Sequence, residues 1–146
     1  MQNDALYLIQ TDTTVGFLSR KSAPLTTAKQ RPMHKPFLKV YADFNTFKAN
    51  QHRVPNAFKA RVRAAKATTF IIKNQALRIV KERRHRDFLS RFGSMYSTSA
   101  NQSGGNFNLS FATEQADVIV EDRHGFYQST PSKIFKLGNQ TLKRLR

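Results

Sequence analysis

Three short polar segments carry the residue types that bind phosphate groups and other small anions. They are Gln10–Gly16, Lys29–Pro36 and Ser97–Gly105. In the second segment Lys29 and Lys35 supply ammonium groups, and Arg31 supplies a planar guanidinium whose paired N–H donors match phosphate oxygens. In the third segment small hydroxyl residues, Asn101 and glycines allow backbone and side-chain donors to approach a phosphate. The sequence therefore predicts an anion-binding site.

Each segment also has an ordinary structural interpretation. A cluster of Ser, Thr, Asn and Gly is typical of a turn, and a Lys-x-Arg pair is typical of a solvated surface. Residues 11–13 are also suitable as a helix cap. The first and third segments each follow a predicted strand, however, and ligands of α/β proteins bind at the carboxyl ends of strands. We also expect alternation to place Lys29 and Arg31 on one side of an extended segment.

The elements that must position these segments are short strands alternating with helices. Apolar or β-branched runs predict strands at residues 5–9, 37–41, 69–72, 77–80, 94–96, 118–120 and 134–135. We expect one short helix to begin at Asp43, a second to be capped by Asn56, and a third to run from Arg84 to Phe92 and end at Gly93. This alternation favours an α/β or mixed sheet, in a single domain of 146 residues.

Composition excludes several classes of protein and of site. There is no cysteine, so disulfides, thiolate zinc sites and cysteine nucleophiles are excluded. No run approaches the roughly 18 apolar residues of a membrane span, and the first residues lack a signal-peptide pattern. We therefore expect a cytoplasmic protein without a membrane partner. The four histidines are scattered, which favours surface or structural roles, and the net charge of +16 favours polyanionic partners or anionic substrates.

The order of the motifs resembles the YrdC-like (Sua/YciO/YrdC) family of threonylcarbamoyl-AMP synthases. Lys29-x-Arg31 and Ser99-x-Asn101 are similar to its K-x-R and S-x-N signatures, and Gln10–Gly16 is similar to its first-strand motif. Three later segments are similar to its VRxP, PSTI and LRxG motifs: Leu77–Ile79, Pro131–Ile134 and Leu145–Arg146. The resemblance spans nearly the whole chain. It implies an α/β fold with a twisted mixed sheet, flanking helices and a concave basic cleft.

The resemblance also implies an activity. The family makes threonylcarbamoyl-AMP from ATP, bicarbonate and L-threonine, and a separate transferase then moves the threonylcarbamoyl group onto tRNA. The chain would accordingly be a nucleotidyltransferase with ATP as substrate, Mg²⁺ carried on the ATP, and the tRNA transferase as its downstream partner. Such a reaction needs positioning and charge stabilisation more than a protein nucleophile, so the lack of a catalytic triad is no objection.

The family's functional residues map onto positions of this chain. The nucleotide-binding set implied by the resemblance is Lys29, Arg31, Lys35, Thr69, Ser99, Asn101 and Arg146. The threonine-binding set is Thr13, Lys73 and Ser97. The resemblance implies neither a catalytic nucleophile nor a metal ligand in the protein.

Departures from the family motifs leave other functions open. Gln10 stands where the family has proline, Val15 where it has an aromatic residue, and Lys133 where it has threonine. The alternative is therefore a YrdC-like nucleotide- or RNA-binding protein without synthase activity. A third interpretation is a basic RNA- or ribosome-associated protein of another kind.

One basic run lies outside the family motifs. Arg83, Arg84 and Arg86 form either an ordinary solvated face or a surface that contacts the phosphates of tRNA or another double-stranded RNA. Base stacking has little support in this run, because Phe88 is the one aromatic residue nearby.

Overall fold

The computed structural model describes residues 4–30, 37–50, 53–102 and 104–146. Its strands are β1 (Tyr7–Gln10), β2 (Val15–Ser19), β3 (Leu38–Tyr41), β4 (Thr68–Ile72), β5 (Gln75–Ile79), β6 (Ser94–Ser99), β7 (Val118–Val120), β8 (Lys133–Leu137) and β9 (Leu142–Arg144). Its helices are α1 (Ser22–Lys29), α2 (Phe44–Ala49), α3 (Lys59–Ala64), α4 (Arg83–Leu89) and α5 (Leu109–Gln115). A 3₁₀ turn, Asn56–Phe58, precedes α3.

All of these strands form one mixed sheet in the order β7-β1-β2-β6-β3-β5-β4-β8-β9. β2 is antiparallel to both β1 and β6, so β1 and β6 run in the same direction. The segments that follow these two strands therefore meet at the same edge of the sheet. This topology brings the first and third polar segments together, although eighty residues separate them in the sequence.

Helices pack on both faces of the sheet. On one face α4 packs against β1, β2, β3 and β6 through a cluster that includes Tyr7, Leu18, Val40, Phe88 and Leu89. On the other face α1 and α5 cover one cluster, and α2 and α3 cover another. α4 does not cover the part of this sheet face that is nearest β4, β5 and β8, and the candidate site lies there.

Most of the predicted elements are confirmed. The strand predictions correspond to β1 and β3–β8, although β6 extends through Ser99. Asp43 caps α2, since its carboxylate accepts a hydrogen bond of 2.7 Å from the backbone N–H of Thr46. The helix predicted to run to Phe92 and end at Gly93 is shorter: α4 ends at Leu89 with Ser90 as its C-cap, and Gly93 lies before β6 with a φ of 80°, a conformation that glycine adopts without strain.

Several local predictions were wrong. Lys29 does not lie in an extended segment; it is the last residue of α1, and Gln30 ends that helix in the left-handed conformation. Asn56 does not cap a helix with its side chain, because it is itself the first residue of the 3₁₀ turn. Residues 11–13 form the turn between β1 and β2 rather than a helix cap. Within the described ranges, no helix has both the length and the apolar character needed to cross a bilayer.

Candidate functional site

A cavity of about 410 Å³ lies on the part of the sheet face that α4 leaves uncovered. Side chains with hydroxyl groups dominate its polar lining: Thr11, Thr13, Thr14, Thr69, Ser97, Thr98, Ser99 and Ser132. Arg78 and Arg146 are the cations among the described residues that line it. The cavity therefore combines many hydrogen-bond donors with two guanidinium groups, which suits a small anionic ligand.

Arg78 is held in place by a buried ion pair. Its guanidinium NH2 lies 3.1 Å from Oδ1 of Asp12, and the two side chains are only 4 % and 3 % exposed. Asp12 comes from the turn between β1 and β2, so the pair fixes this turn against β5. Burial raises the pKa of the Asp12 carboxyl, but the contact with His85 and the charge of Arg78 together lower it below its ordinary value. Asp12 is accordingly ionised at neutral pH.

His85 supports Asp12 from α4. Its ring is fully buried, and its Nδ1 accepts a hydrogen bond of 3.2 Å from the backbone N–H of Asp12. Nδ1 also lies 3.4 Å from Oδ1 of Asp12, and Nε2 has no hydrogen-bond partner among the described residues. Burial lowers the pKa of His85 by more than the neighbouring Asp12 raises it. His85 is therefore a neutral structural residue, in agreement with the sequence-based prediction.

This arrangement predicts a stability that falls in two steps as the pH is lowered. The pKa of His85 is lower in the folded state than in the unfolded state. Its contribution to the free energy of unfolding is therefore complete above the unfolded-state pKa of about 6.5 and is lost as the pH falls below that pKa. The folded-state pKa of Asp12 is also depressed, so its contribution is lost at lower pH, as the pH falls through that value. In urea unfolding between pH 7.5 and pH 4.5, we expect His85→Asn to remove the first step alone. His124→Asn, at an exposed position, is the control. An unchanged first step in His85→Asn would contradict the assignment of that step to His85.

A chain of hydroxyl groups connects the two arginines. Arg78 donates to Oγ1 of Thr69 at 3.4 Å, and this hydroxyl lies 2.9 Å from Oγ of Ser132. Arg146 donates to Oγ of Ser132 at 3.1 Å and to the Ser132 carbonyl oxygen at 2.8 Å. Burial lowers the pKa of Arg78; Asp12 opposes this and the positive charge of Arg146 adds to it. Two cations on either side of one hydroxyl pair create a local potential that attracts anions.

Lys29, Ser99 and Asn101 come together beside this cavity. The Lys29 ammonium donates to the carbonyl oxygens of Ser99 at 3.1 Å and of Asn101 at 2.5 Å, and to Oδ1 of Asn101 at 3.2 Å. Its side chain is buried, and these three oxygens match the three protons of an ammonium group. A second cavity of about 320 Å³ is lined by Asn101 and shares Ser99 and Arg146 with the first.

The structure thus brings most of the expected site residues to one region. Thr13, Thr69, Ser97, Ser99 and Arg146 line the larger cavity, Asn101 lines the smaller one, and Lys29 lies against it. Lys73 lies apart, exposed in the turn between β4 and β5. Arg31 and Lys35 lie outside the described residues. The binding roles and the basic cleft stay predictions.

Sequence reasoning did not assign roles to Arg78, Asp12 or Ser132. One signal for Arg78 was available, since it is a charged residue between two apolar ones in a predicted strand. Asp12 and Ser132 lay inside quoted motifs, but their contacts join segments that are distant in the sequence.

The arginines of α4 lie on a different surface. Arg83, Arg84 and Arg86 are exposed. Arg84 lies 3.1 Å from a carboxylate oxygen of Asp122, and Arg83 lies 3.8 Å from Asp87. Their contact with RNA stays a prediction.

Comparison with solved structures identifies the architecture. A double variant of P. abyssi Sua5 superposes with a TM-score of 0.76 at 17 % identity, over 97 % of this chain and 52 % of that chain. E. coli YciO superposes with a TM-score of 0.76 at 18 % identity, over 98 % of this chain and 82 % of that chain. The chain has the Sua5 and YciO fold.

A third structure, P. abyssi Sua5 complexed with L-threonine, superposes with a TM-score of 0.73 at 16 % identity, over 97 % of this chain and 50 % of that chain. The chain thus spans about half the length of Sua5 and most of the length of YciO. At the level of sequence, no family model and no curated protein matches it. The likeness to Sua5 and YciO is therefore one of fold.

Proposed function

We propose that the chain is a YrdC-like nucleotidyltransferase that makes threonylcarbamoyl-AMP from ATP, bicarbonate and L-threonine for tRNA modification. The observation that supports this most is the cavity in which Arg78 and Arg146 flank the hydroxyls of Thr69 and Ser132. It occurs in a fold shared with Sua5, one structure of which is complexed with L-threonine.

The chemistry of this reaction suits the residues present. The threonine amine attacks bicarbonate with loss of water, or CO₂ with loss of a proton, and the resulting carbamate attacks the α-phosphate of ATP as pyrophosphate leaves. Each species is anionic or becomes so, and fixed guanidinium and hydroxyl donors stabilise the developing charge. Because Asp12 and His85 hold Arg78 before any ligand arrives, little reorganisation is needed at the moment of reaction.

Mg²⁺ would enter on the phosphates of ATP and neutralise part of their charge. The described residues lining the larger cavity include no carboxylate that would hold the ion directly, and Asp12 is already paired with Arg78. Arg146 is exposed, so its side chain would follow a phosphate chain toward solvent.

One observation favours the second candidate function, nucleotide binding without synthesis. The Lys29 ammonium, expected to contact phosphate, donates instead to oxygens of Ser99 and Asn101. A phosphate would have to displace at least one of these hydrogen bonds. If that exchange does not occur, the chain binds its ligands through the arginines and hydroxyls alone.

Threonine-dependent release of pyrophosphate tests the proposal. The purified chain is incubated with ATP, Mg²⁺, bicarbonate and L-threonine, and pyrophosphate is measured with and without L-threonine. We expect release that requires L-threonine and is not supported by D-threonine. ATP binding in calorimetry without threonine-dependent release would favour the second function, and binding of neither ATP nor L-threonine would overturn both.

A further inference from the structure

The smaller cavity of the site differs from the larger one in its chemistry. Its lining includes Phe107, the one aromatic ring among the described residues that line either cavity, together with apolar groups of Val15, Ala100 and Pro131. Arg146 is the cation among its described lining residues, and it also lines the larger cavity. An apolar surface with a few polar groups suits a flat ring system, and a cation shared with the larger cavity suits phosphates attached to that ring.

Residues 121–132 connect β7 to β8 and supply part of the wall of this cavity. β7 is the first strand of the sheet and β8 the eighth, so this crossing segment passes the ends of the strands between them. Eight strands of a flat sheet extend over roughly 34 Å at about 4.8 Å per spacing, and twelve residues reach about 40 Å when extended. The crossing segment therefore has little length to spare, and it brings Gln128, Ser129 and Pro131 to the smaller cavity.

Hydrogen bonds fix the crossing segment on both sides of Gln128. The backbone N–H of Tyr127 donates to Oε1 of Gln10 at 3.0 Å, and the Tyr127 carbonyl oxygen accepts from the N–H of Val15 at 3.2 Å. The N–H of Ser129 donates to Oγ1 of Thr14 at 3.3 Å. Although Gln128 belongs to no helix or strand, its backbone is therefore held against the turn between β1 and β2.

Two amide side chains line the smaller cavity, and their hydrogen bonding differs. Oδ1 of Asn101 accepts from Lys29, and Nδ2 of Asn101 donates to the carbonyl oxygens of Gln102 and Gly105. The Asn101 amide is therefore engaged within the protein. The side chain of Gln128 is exposed, and its amide has no hydrogen-bond partner in the part of the chain that the structure describes. Gln128 thus offers the cavity both a free donor and a free acceptor.

We propose that Gln128 is a specificity-determining residue that pairs with the edge of the adenine base of the nucleotide. This inference rests on the nucleotide binding proposed above and adds the residue that recognises the base. In this arrangement the ring lies beside Phe107 and Pro131, and the phosphates extend past Ser99 and Arg146 into the larger cavity.

The amide group has the hydrogen-bonding pattern that this role needs. A glutamine presents an N–H donor beside a carbonyl acceptor, and adenine presents its N6 amino group as donor beside N7 or N1 as acceptor, so the two form a bidentate contact. A carboxylate presents acceptors alone. It therefore pairs poorly with adenine and well with guanine, which offers N–H donors at the adjacent positions N1 and N2.

Variants of two glutamines test the proposal. Gln128→Ala removes the amide, and Gln128→Glu replaces its donor with an acceptor. Gln140→Ala and Gln140→Glu are the matched controls, because Gln140 is an exposed glutamine between β8 and β9 that lines neither cavity. Calorimetric titration of the full chain measures the binding of ATP, GTP and inorganic tripolyphosphate, each with Mg²⁺. Thermal unfolding is measured beside it and should not change, since the Gln128 side chain is exposed.

Gln128→Ala is expected to bind ATP about 5- to 30-fold more weakly than the parent, the loss that corresponds to one or two neutral hydrogen bonds, with unchanged affinity for tripolyphosphate. Gln128→Glu is expected to shift the ratio of GTP affinity to ATP affinity by about tenfold or more toward GTP. Repulsion between the new carboxylate and the phosphates cancels in this ratio, because both nucleotides carry the same triphosphate. Both Gln140 variants should match the parent.

Unchanged ATP affinity in Gln128→Ala, or an unchanged ratio in Gln128→Glu, would overturn the inference while leaving nucleotide binding in place. An equal loss of ATP and tripolyphosphate affinity in Gln128→Ala would also overturn it, because the residue would then act on the phosphates and not on the base. A parent chain that binds tripolyphosphate as tightly as ATP would show that no base is recognised, and one that binds neither would overturn the proposed nucleotide binding as well.

Discussion

Replacing Asp12 with alanine is expected to lower the free energy of unfolding by about 3 to 5 kcal/mol, because it leaves Arg78 as an unpaired charge in a buried site. The change also removes the carboxylate that fixes the turn between β1 and β2 against β5. Urea-induced unfolding at pH 7.5 measures this effect.

Three further variants separate the loss of the ion pair from other causes of lower stability. Asp12→Asn keeps the shape of the side chain, so it is the variant to measure if Asp12→Ala does not fold. The double variant Asp12→Asn, Arg78→Met should recover part of the lost stability, because it removes the stranded charge as well. Asp122→Ala breaks an exposed pair with Arg84 and should change little. Equal stability of Asp12→Ala and the parent would show that this pair does not hold the site together.

Replacing Arg146 with alanine is expected to weaken ATP binding by about 10- to 150-fold, the range that corresponds to losing hydrogen bonds from a charged donor. The reason is that Arg146 borders both cavities and supplies one of the two guanidinium groups of the larger one. Calorimetric titration with ATP and Mg²⁺ measures the change, and urea-induced unfolding measures separately the stability that is lost with the two hydrogen bonds to Ser132.

Arg144→Ala is the matched control for this prediction. It removes the same group two positions earlier in the chain, from a residue that pairs with Phe135 in the sheet and does not line either cavity. Its ATP affinity should equal that of the parent. If Arg146→Ala also binds ATP as the parent does, Arg146 is not a nucleotide ligand and the nucleotide must lie elsewhere.

The sequence predicted those strands that stand out as uninterrupted apolar runs. It did not predict β2, because Gly16 and the neighbouring threonines favour a turn, while in the structure Gly16 lies in β2 with no room for a side chain. A Cβ there would approach Cγ2 of Thr11 to 2.9 Å and the Thr98 carbonyl oxygen to 3.1 Å. It did not predict α1 either, since Pro24 and two threonines lower its intrinsic helix propensity. Packing on the sheet through Leu25 and Ala28 stabilises that helix instead.

The candidate site was predicted unevenly for a related reason. Ser99 and Asn101 form a local motif that can be recognised along the chain, and the structure places them together with Lys29. The contacts of Arg78 with Asp12 and of Thr69 with Ser132 depend on strand order, which short sequence patterns do not specify.

The position of β6 in the sheet has a consequence for the order of folding. β6 is sixth in the sequence, yet it lies between β2 and β3 and pairs with both. Until residues 94–99 leave the ribosome, the hairpin of β1 and β2 shares no strand pairing with the group of β3, β5 and β4. Both groups meanwhile expose an unpaired edge that other chains can pair with. The nascent chain therefore cannot close the centre of its sheet early, and because this pairing is non-local, folding of the completed chain is expected to be slow.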